Sequence, residues 1–164
     1  TAMLQVVHYE PETGKVWLDT RGGTFYNPFR KDDVILVQQF NGLDVNPNYS
    51  VDDEGLPTFT AGGGIADIEC YDSKYNSYFE VTLMCGRQDQ VNNEIVPIRR
   101  HLKEALQRNP LSFSVFIAPV VHEDTIEVAN LYKIRENLDI LTFNINEFIE
   151  HIKQKQKVSE LLVS

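Results

Sequence analysis

The 164-residue chain has few cysteines and no long hydrophobic run, and each shortage excludes a class of protein. Its two cysteines, Cys70 and Cys85, cannot build a disulfide framework, and their spacing matches no zinc-site pattern. No apolar stretch approaches the roughly 18 residues that span a bilayer, and the first residues do not have the architecture of a signal peptide. We therefore expect a cytoplasmic protein that does not associate with a membrane.

Basic residues are also scarce, with 15 Lys and Arg against 24 Asp and Glu, which gives a formal net charge of −9. Proteins that bind nucleic acid on their own gain affinity by neutralising phosphates with Lys and Arg. The charge balance therefore argues against a general nucleic-acid binder. The hydrophobic content of 42 % is enough for one packed domain, and no repeat or linker rich in Pro, Gly or Ser divides the chain.

Hydrophobic patterns along the chain predict an α/β fold, with a mixed central sheet flanked by helices. Residues 138–143 form the last predicted strand, and Asn144 or Asn146 caps the final helix. The elements predicted before them are, in order, a hairpin at 3–9 and 15–18, a helix from Arg30 to Phe40, strands at 64–71 and 78–85, a long helix from Gln88 to Gln107 that Pro97 kinks or breaks, a strand at 111–121 buried on both faces, and a helix from Asp124 to Asn137.

Two carboxylates, Asp67 and Glu80, occupy predicted strands among apolar neighbours. A carboxylate in such a setting is costly unless it is paired or bound to a cation. If the strands form an antiparallel hairpin, residues whose numbers sum to 147 or 148 face each other, and Asp67 lies opposite Glu80. Opposed carboxylates repel each other, but a divalent cation such as Mg²⁺ between them removes the repulsion. On the residues alone, a metal site and an accidental surface pair are equally good interpretations.

A third carboxylate, Glu94, shares one side of the long predicted helix with Gln90 and His101, within about 40° at the α-helical spacing. This polar ridge beside the apolar stripe could face the sheet edge that carries Asp67 and Glu80. Spacing alone favours an ordinary boundary between the core and the solvent. The same segment holds a basic cluster that is either a solvated helix face or a phosphate-binding surface, comprising Arg87, Arg99, Arg100, His101, Lys103 and Arg108.

The central stretch resembles type IIS restriction endonucleases of the AlwI kind. It is also similar to the small catalytic subunits of heterodimeric type IIS enzymes related to nicking endonucleases, within the PD-(D/E)XK nuclease superfamily. The motifs that carry the resemblance are Asp67-Ile-Glu, Phe79-Glu80-Val-Thr82, Gly86-Arg-Gln, Gln90, Glu94 and Arg100-His101-Leu102. It covers roughly residues 30 to 150. It therefore implies an N-terminal hairpin or extension over residues 1–29 and an endonuclease-like catalytic domain over residues 30–164.

The resemblance also implies roles for individual residues. Asp67, Glu80 and the backbone carbonyl of Val81 would bind a catalytic Mg²⁺, for which Mn²⁺ can substitute. Glu94 and Gln90 would lie at the catalytic centre. Asp33 would be the acid on a helix before the sheet, where the family commonly has the longer Glu. Thr82 stands where the superfamily has a lysine, and under this reading Glu94, Gln90 or Arg87 would have to replace that lysine. DNA phosphates would contact four basic residues, Arg87, Arg99, Arg100 and Lys103.

Three functional hypotheses follow. The first is a Mg²⁺-dependent endonuclease for double-stranded DNA, the catalytic domain or subunit of a type IIS restriction system. A recognition domain, a larger subunit or a second copy would then deliver the DNA, because a charge of −9 excludes strong DNA affinity of the chain alone. The alternative is a catalytically decayed nuclease fold that acts as an interaction partner, as Thr82 and Asp33 suggest. A metal-dependent hydrolase of small molecules ranks third, because the sequence has no signature of a substrate pocket.

Overall fold

The computed structural model describes residues 43–48, 65–72, 74–82 and 84–163, and the course of three strands nearer the start of the chain. These are β1 (Val6–Glu10), β2 (Lys15–Asp19) and β3 (Val34–Gln39). They form an antiparallel sheet in the order β1-β2-β3, which confirms the predicted hairpin. Within the described residues, no helix combines the length and apolarity needed to cross a membrane.

The helix predicted from Arg30 to Phe40 is wrong, since residues 34–39 form β3 and pair with β2. The segment has three β-branched residues, Val34, Ile35 and Val37, and these favour extended backbone over helix. Its apolar residues are too closely spaced to distinguish a short strand from one helical face. Asp33 lies outside the described residues, and the predicted division between residues 29 and 30 remains a prediction.

A five-stranded mixed sheet holds the rest of the chain together, in the order β4-β5-β6-β7-β8. Its members are β4 (Asp44–Pro47), β5 (Ile68–Tyr71), β6 (Asn76–Val81), β7 (Ser112–Ala118) and β8 (Ile140–Asn144). The first three strands pair antiparallel, whereas β7 and β8 pair parallel to their neighbours. Parallel pairs need long crossovers, which the helices between these strands supply. The predicted α/β fold with a mixed sheet is confirmed.

The helices are α1 (Val96–Arg108), α2 (Glu123–Glu136) and α3 (Ile145–Lys153), with a π-helical segment at Asp89–Ile95 before α1 and a 3₁₀ helix at Val158–Val163 after α3. Pro97 lies in the first turn of α1, just after the change from π- to α-helix, and Ile95 and Val96 at that change both keep right-handed helical backbone angles. The helix is therefore not broken at Pro97, although a break is one of the two effects predicted for this residue. Of the two predicted N-cap residues, Asn144 is the one that precedes α3, and its backbone N–H donates to the Glu147 carboxylate at 3.3 Å.

The two faces of the sheet are covered by different helices, and this decides where the polar side chains lie. On one face, Phe113 and Val115 of β7 pack with Phe148 and Ile152 of α3 in one apolar cluster. On the other face, residues of β7 pack with α1 and α2, including Phe116, Ala118, Ile98, Leu102 and Ala129. All seven residues of β7 are buried, as predicted for a strand covered on both faces.

Candidate active site

Asp67 and Glu80 face each other across the β5–β6 hairpin. The turn is closed by Asp72, whose carboxylate accepts the backbone N–H of Tyr75 at 2.6 Å. This turn sets the register Ile68↔Phe79, so the next positions outward are 67 and 80. The predicted sum of 147 is therefore confirmed. Asp67 directly precedes β5 instead of lying within it, and its Oδ2 accepts the N–H of Val81 at 2.9 Å.

The two carboxyl groups share a hydrogen bond in a largely buried setting. Burial and then the negative charge of Asp67 raise the pKa of Glu80 to about 9, even though the Asp67 backbone N–H also binds Glu80. The pKa of Asp67 is raised as well, mainly by burial, and the Val81 N–H partly offsets this rise. Because one proton relieves the repulsion between two buried carboxylates, the metal-free pair holds a proton on Glu80, which donates to Asp67.

Glu94 lies close enough to this pair for the charge of Asp67 to change its pKa. Burial raises the pKa of Glu94 to about 7, the charge of Asp67 adds to the rise, and a hydrogen bond from Thr82 opposes it. Thr82 is the buried residue that follows β6, and its backbone N–H donates to the Ile117 carbonyl at 3.0 Å. Thr82 is thus a hydroxyl donor to the third carboxylate.

Gln90 is fully buried, and its amide group is saturated with hydrogen bonds. Nε2 donates to the carbonyls of Met84 at 2.7 Å and Val120 at 2.9 Å. Oε1 accepts the N–H of His122 at 2.8 Å and the hydroxyl of Thr125 at 3.0 Å. The contacts of Gln90 thus tie the loop after β6 to the start of α2. Its predicted role at the catalytic centre remains a prediction.

The π-helical segment explains why Gln90 and Glu94 have different surroundings. A π-helix has more residues per turn than an α-helix, because its hydrogen bonds span one further residue. The N–H of Val96 accordingly binds the Val91 carbonyl five residues earlier. The angular spacing expected for an α-helix therefore does not hold between Gln90 and Glu94. Gln90 is fully enclosed, whereas Glu94 is half-buried beside Thr82.

Two of the four residues predicted to bind phosphate, Arg99 and Lys103, form ion pairs with Glu136 of α2. The Arg99 guanidinium makes a bidentate contact at 2.5 Å, and Lys103 Nζ lies 3.0 Å from Glu136 Oε1. These contacts, Arg99 first, lower the pKa of Glu136 to about 2. Arg99 also lies over the Tyr132 ring, 5.2 Å from its centroid. Arg99 therefore links α1 to α2 through an ion pair and a cation–π contact.

The other two predicted phosphate contacts, Arg87 and Arg100, differ from each other. Arg87 precedes the π-helical segment and forms an ion pair with Asp124 in the first turn of α2. Arg100 is exposed on α1, and it has no carboxylate partner among the residues that the structure describes. Arg100 is therefore the member of the predicted set best placed to contact a phosphate without first breaking an ion pair.

A cavity of about 130 Å³ lies beside Glu80, between the sheet and α1. Glu69 and Tyr78 line it from the strands, and His101 and Arg108 line it from α1. Burial and then the charge of Arg100 lower the pKa of His101, which keeps its imidazole neutral at pH 7. Glu69 and Tyr78 were not among the predicted site residues. The period-2 alternation could have found them, because it places both on the same face as Glu80.

The facing carboxyl groups of Asp67 and Glu80, with Glu94 beside them, fit a hard divalent cation. All three are carboxylates, the ligands that Mg²⁺ prefers, and the pKa values of all three are raised chiefly by burial. A cation would replace the proton that Glu80 carries. Over the described part of the chain, no three His, Cys, Asp or Glu side chains already stand in a metal-binding arrangement. The match therefore lies in the chemistry of the donors rather than in a completed coordination shell.

Comparisons with known proteins give two matches. A family model described as AlwI restriction endonuclease matches residues 35–151, more than half of the chain. No curated protein matches the sequence. Among solved structures, the small subunit of the heterodimeric restriction endonuclease R.BspD6I has the same fold, with a TM-score of 0.58 and 20 % sequence identity. That alignment covers 73 % of this chain and 68 % of the small subunit.

Proposed function

This chain belongs to the AlwI restriction endonuclease family, and from that premise we propose that it is a Mg²⁺-dependent endonuclease that hydrolyses phosphodiester bonds of double-stranded DNA. The observation that carries the proposal is the buried pair of facing carboxyls, Asp67 and Glu80, with Glu94 beside it. Burying two facing carboxylates costs free energy unless a cation binds them. A nuclease can use such a bound cation for catalysis.

Each residue has a distinct task in this proposal. Asp67, Glu80 and the Val81 carbonyl would hold Mg²⁺, and Mn²⁺ would substitute for it. A divalent cation, once bound, polarises a phosphate and lowers the pKa of bound water. Glu94, whose pKa is raised to about 7 in the metal-free fold, can in its ionised form accept a proton from an attacking water. The Thr82 hydroxyl holds Glu94 in place.

The basic residues would position the DNA backbone, a contact that carries no sequence information. Arg100 is the candidate that has no carboxylate partner among the described residues, whereas Arg87, Arg99 and Lys103 already bind carboxylates of α2. The net charge of −9 opposes DNA binding by the chain alone. We therefore propose a catalytic domain or subunit of a type IIS restriction system, to which a recognition domain, a larger subunit or a second copy delivers the DNA. The likeness to a subunit of a heterodimeric restriction enzyme supports a partner of this kind.

The test is plasmid cleavage in Mg²⁺, with and without candidate recognition proteins, by the wild-type chain and by Asp67→Asn and Glu80→Gln. Both variants should retain the fold and lose at least about a thousandfold in cleavage rate, since a lost metal removes several kcal/mol of transition-state stabilisation. The matched control is Glu150→Gln, which neutralises an exposed carboxylate on α3, the helix on the opposite face of the sheet. Full cutting by both Asp67→Asn and Glu80→Gln would refute the assignment.

A second candidate function is a catalytically decayed nuclease fold that serves as an interaction subunit. The observation that favours it is Thr82, which offers a neutral hydroxyl where the superfamily has a positively charged lysine. Titration calorimetry with Mg²⁺ and Mn²⁺ separates the two functions. Metal binding that Asp67→Asn abolishes supports the nuclease, and the absence of any Asp67-dependent binding supports the decayed subunit.

A further inference from the structure

The cavity between the sheet and α1 contains a buried hydroxyl group that lacks a partner. Ser114 of β7 lines this cavity and is exposed by only 2 %. Its backbone N–H donates to the Asp139 carbonyl at 2.9 Å, but its hydroxyl has no hydrogen-bond partner among the residues that the structure describes. Buried polar groups are nearly always hydrogen-bonded in folded proteins. We therefore expect a ligand in the cavity to supply the missing partner.

The walls of the cavity suit a flat ring. Tyr78 lines it from β6 and His101 lines it from α1, so there is one aromatic ring on the sheet side and one on the helix side. Ile98 and Leu102 add apolar surface. The volume of about 130 Å³ corresponds to about four water molecules of ~30 Å³ each. A single heterocyclic ring has this size, whereas drug-sized ligands occupy larger pockets.

The polar groups of the cavity determine which ring fits. Glu69 of β5 lies opposite Tyr78 in the hairpin, and its carboxylate accepts a hydrogen bond from the Asn46 amide at 3.5 Å. The Tyr71 ring meets the Tyr78 ring edge-on, with 6.5 Å between the centroids. An ionised carboxylate accepts hydrogen bonds and donates none, so the ligand must carry an N–H donor, as the amino group of cytosine does. Arg108 offers N–H donors for a ring carbonyl.

We propose that this cavity binds a nucleobase that carries an exocyclic amino group, with cytosine as the best fit. The amino group donates to Glu69, the Ser114 hydroxyl bonds the edge of the base, and the ring lies between Tyr78 and His101. Proteins that hold a base outside the DNA stack use the same combination of aromatic or apolar walls and hydrogen bonds to the base edge.

The position of the cavity indicates where the base comes from. Tyr78 precedes Glu80 by two residues on the same face of β6, which is about 6.6 Å at about 3.3 Å per residue. The base therefore belongs to a nucleotide next to the phosphate that lies at Glu80. This source rests on the proposed nuclease function, whereas the fit of the base to the cavity does not.

Binding of free nucleosides to the metal-free full chain, followed by NMR titration, tests the pocket without any nuclease activity. Deoxycytidine should bind at least tenfold more tightly than deoxyuridine, because deoxyuridine has a carbonyl in place of the amino group and cannot donate to Glu69. Glu69→Gln should remove this preference, since an amide can donate to the carbonyl. Ser114→Leu fills the cavity and should abolish the binding of both nucleosides.

The matched control is Glu150→Gln on α3, which should bind both nucleosides as the wild type does. Circular dichroism confirms that each variant is folded, and Glu69→Gln tests the pocket even if Ser114→Leu does not fold. A wild-type chain that binds neither nucleoside, or binds both equally, overturns the proposal. Undiminished deoxycytidine binding by folded Ser114→Leu also overturns it.

Plasmid cleavage in Mg²⁺, with a recognition partner where cleavage requires it, distinguishes a base of the DNA substrate from a free nucleotide. For a base of the substrate, Ser114→Leu and Glu69→Gln should each cut at least tenfold more slowly than the wild type and still bind Mg²⁺ in calorimetry. Wild-type cleavage rates in both variants would overturn the DNA source and assign the pocket to a free nucleotide. A wild-type chain that binds deoxycytidine selectively but cuts no DNA would refute the nuclease function and confirm the pocket.

Discussion

The hydroxyl of Thr82 donates a hydrogen bond to the carboxylate of Glu94. This contact joins the end of β6 to the π-helical segment, beside the facing pair Asp67 and Glu80. A lysine at position 82 would bring a positive charge to the carboxylates, whereas a hydroxyl supplies one hydrogen bond and no charge. Glu94 consequently keeps a raised pKa of about 7. In the proposed nuclease, the ionised form of Glu94 accepts the proton, so a change in the pKa of Glu94 should change the pH dependence of cleavage.

Removing this hydroxyl should move the pH dependence of cleavage. Thr82→Val takes away a donor that stabilises the ionised carboxylate, so the pKa of Glu94 should rise further. If the ionised form is the active one, the acidic limb of kcat/KM in Mg²⁺ moves to higher pH, by about one unit for a buried hydrogen bond worth roughly 1.4 kcal/mol. Thr82→Ser keeps the hydroxyl and is the control. Identical profiles for the two variants would contradict this role of Thr82.

Metal-free protein should lose stability as pH rises. The pKa of Glu80 is 4.5 in the unfolded chain and about 9 in the fold, so between these values the folded state holds a proton that the unfolded state lacks. The stabilisation is complete below pH 4.5 and is lost as pH rises through 9. Urea denaturation in EDTA should show a loss on the order of a few kcal/mol across this window, since one pKa unit corresponds to about 1.4 kcal/mol.

Two variants test whether Glu80 causes the loss of stability with rising pH. Glu80→Gln keeps the shape and removes this titration, so its stability should change little between pH 7 and 9, above the pKa of Glu94, and should exceed that of the wild type at pH 9. Glu150→Gln removes an exposed carboxylate and should follow the wild-type curve. If the wild-type loss of stability between pH 7 and 9 persists in Glu80→Gln, the titration belongs to another group.

The order of elements after residue 64 could be predicted from the sequence because each element has a strong local signal. The continuous apolar run of β7 requires cover on both faces, and Asn144 is a good cap for α3. The facing of Asp67 and Glu80 followed from the hairpin alone, because a short turn fixes the register. These predictions depend only on neighbouring residues, and the structure confirms them.

The failures have physical causes of a different kind. Residues 34–39 form a strand because β2 is available to pair with them, and their closely spaced apolar residues do not distinguish a short strand from one helical face. Within the π-helical segment, the side chains of Gln90 and Glu94 have different surroundings, although the α-helical spacing predicts that they share one side of the helix. The ion pairs of Arg99 and Lys103 with Glu136 depend on how α2 packs against α1. The sequence shows which residues are charged, but the packing of the helices decides which of those residues form ion pairs.

Gln90 should be essential for stability. Gln90→Leu leaves the carbonyls of Met84 and Val120, the N–H of His122 and the Thr125 hydroxyl without their buried partner. Each orphaned buried group costs about 1–3 kcal/mol, and water satisfies some of them, so the loss should be about 3 kcal/mol. Urea denaturation measures it. Gln107→Leu, at an exposed position on α1, should change stability by less than about 0.5 kcal/mol. Equal effects of the two variants would refute the assignment.

Arg100 and Arg99 should separate DNA binding from folding. Arg100→Ala removes an exposed cation without an ion pair among the described residues, so it should weaken DNA binding similarly for all sequences and reduce the salt dependence of binding by about one unit of slope. Arg99→Ala instead breaks the bidentate contact with Glu136, so its main effect should be on stability. Fluorescence anisotropy with duplex DNA at several salt concentrations measures the effect on DNA binding. The recognition partner is added where binding requires it. Thermal denaturation measures the effect on stability. If Arg99→Ala lowers the salt slope and Arg100→Ala does not, the phosphate contact belongs to Arg99, and the bond to Glu136 must open when DNA binds.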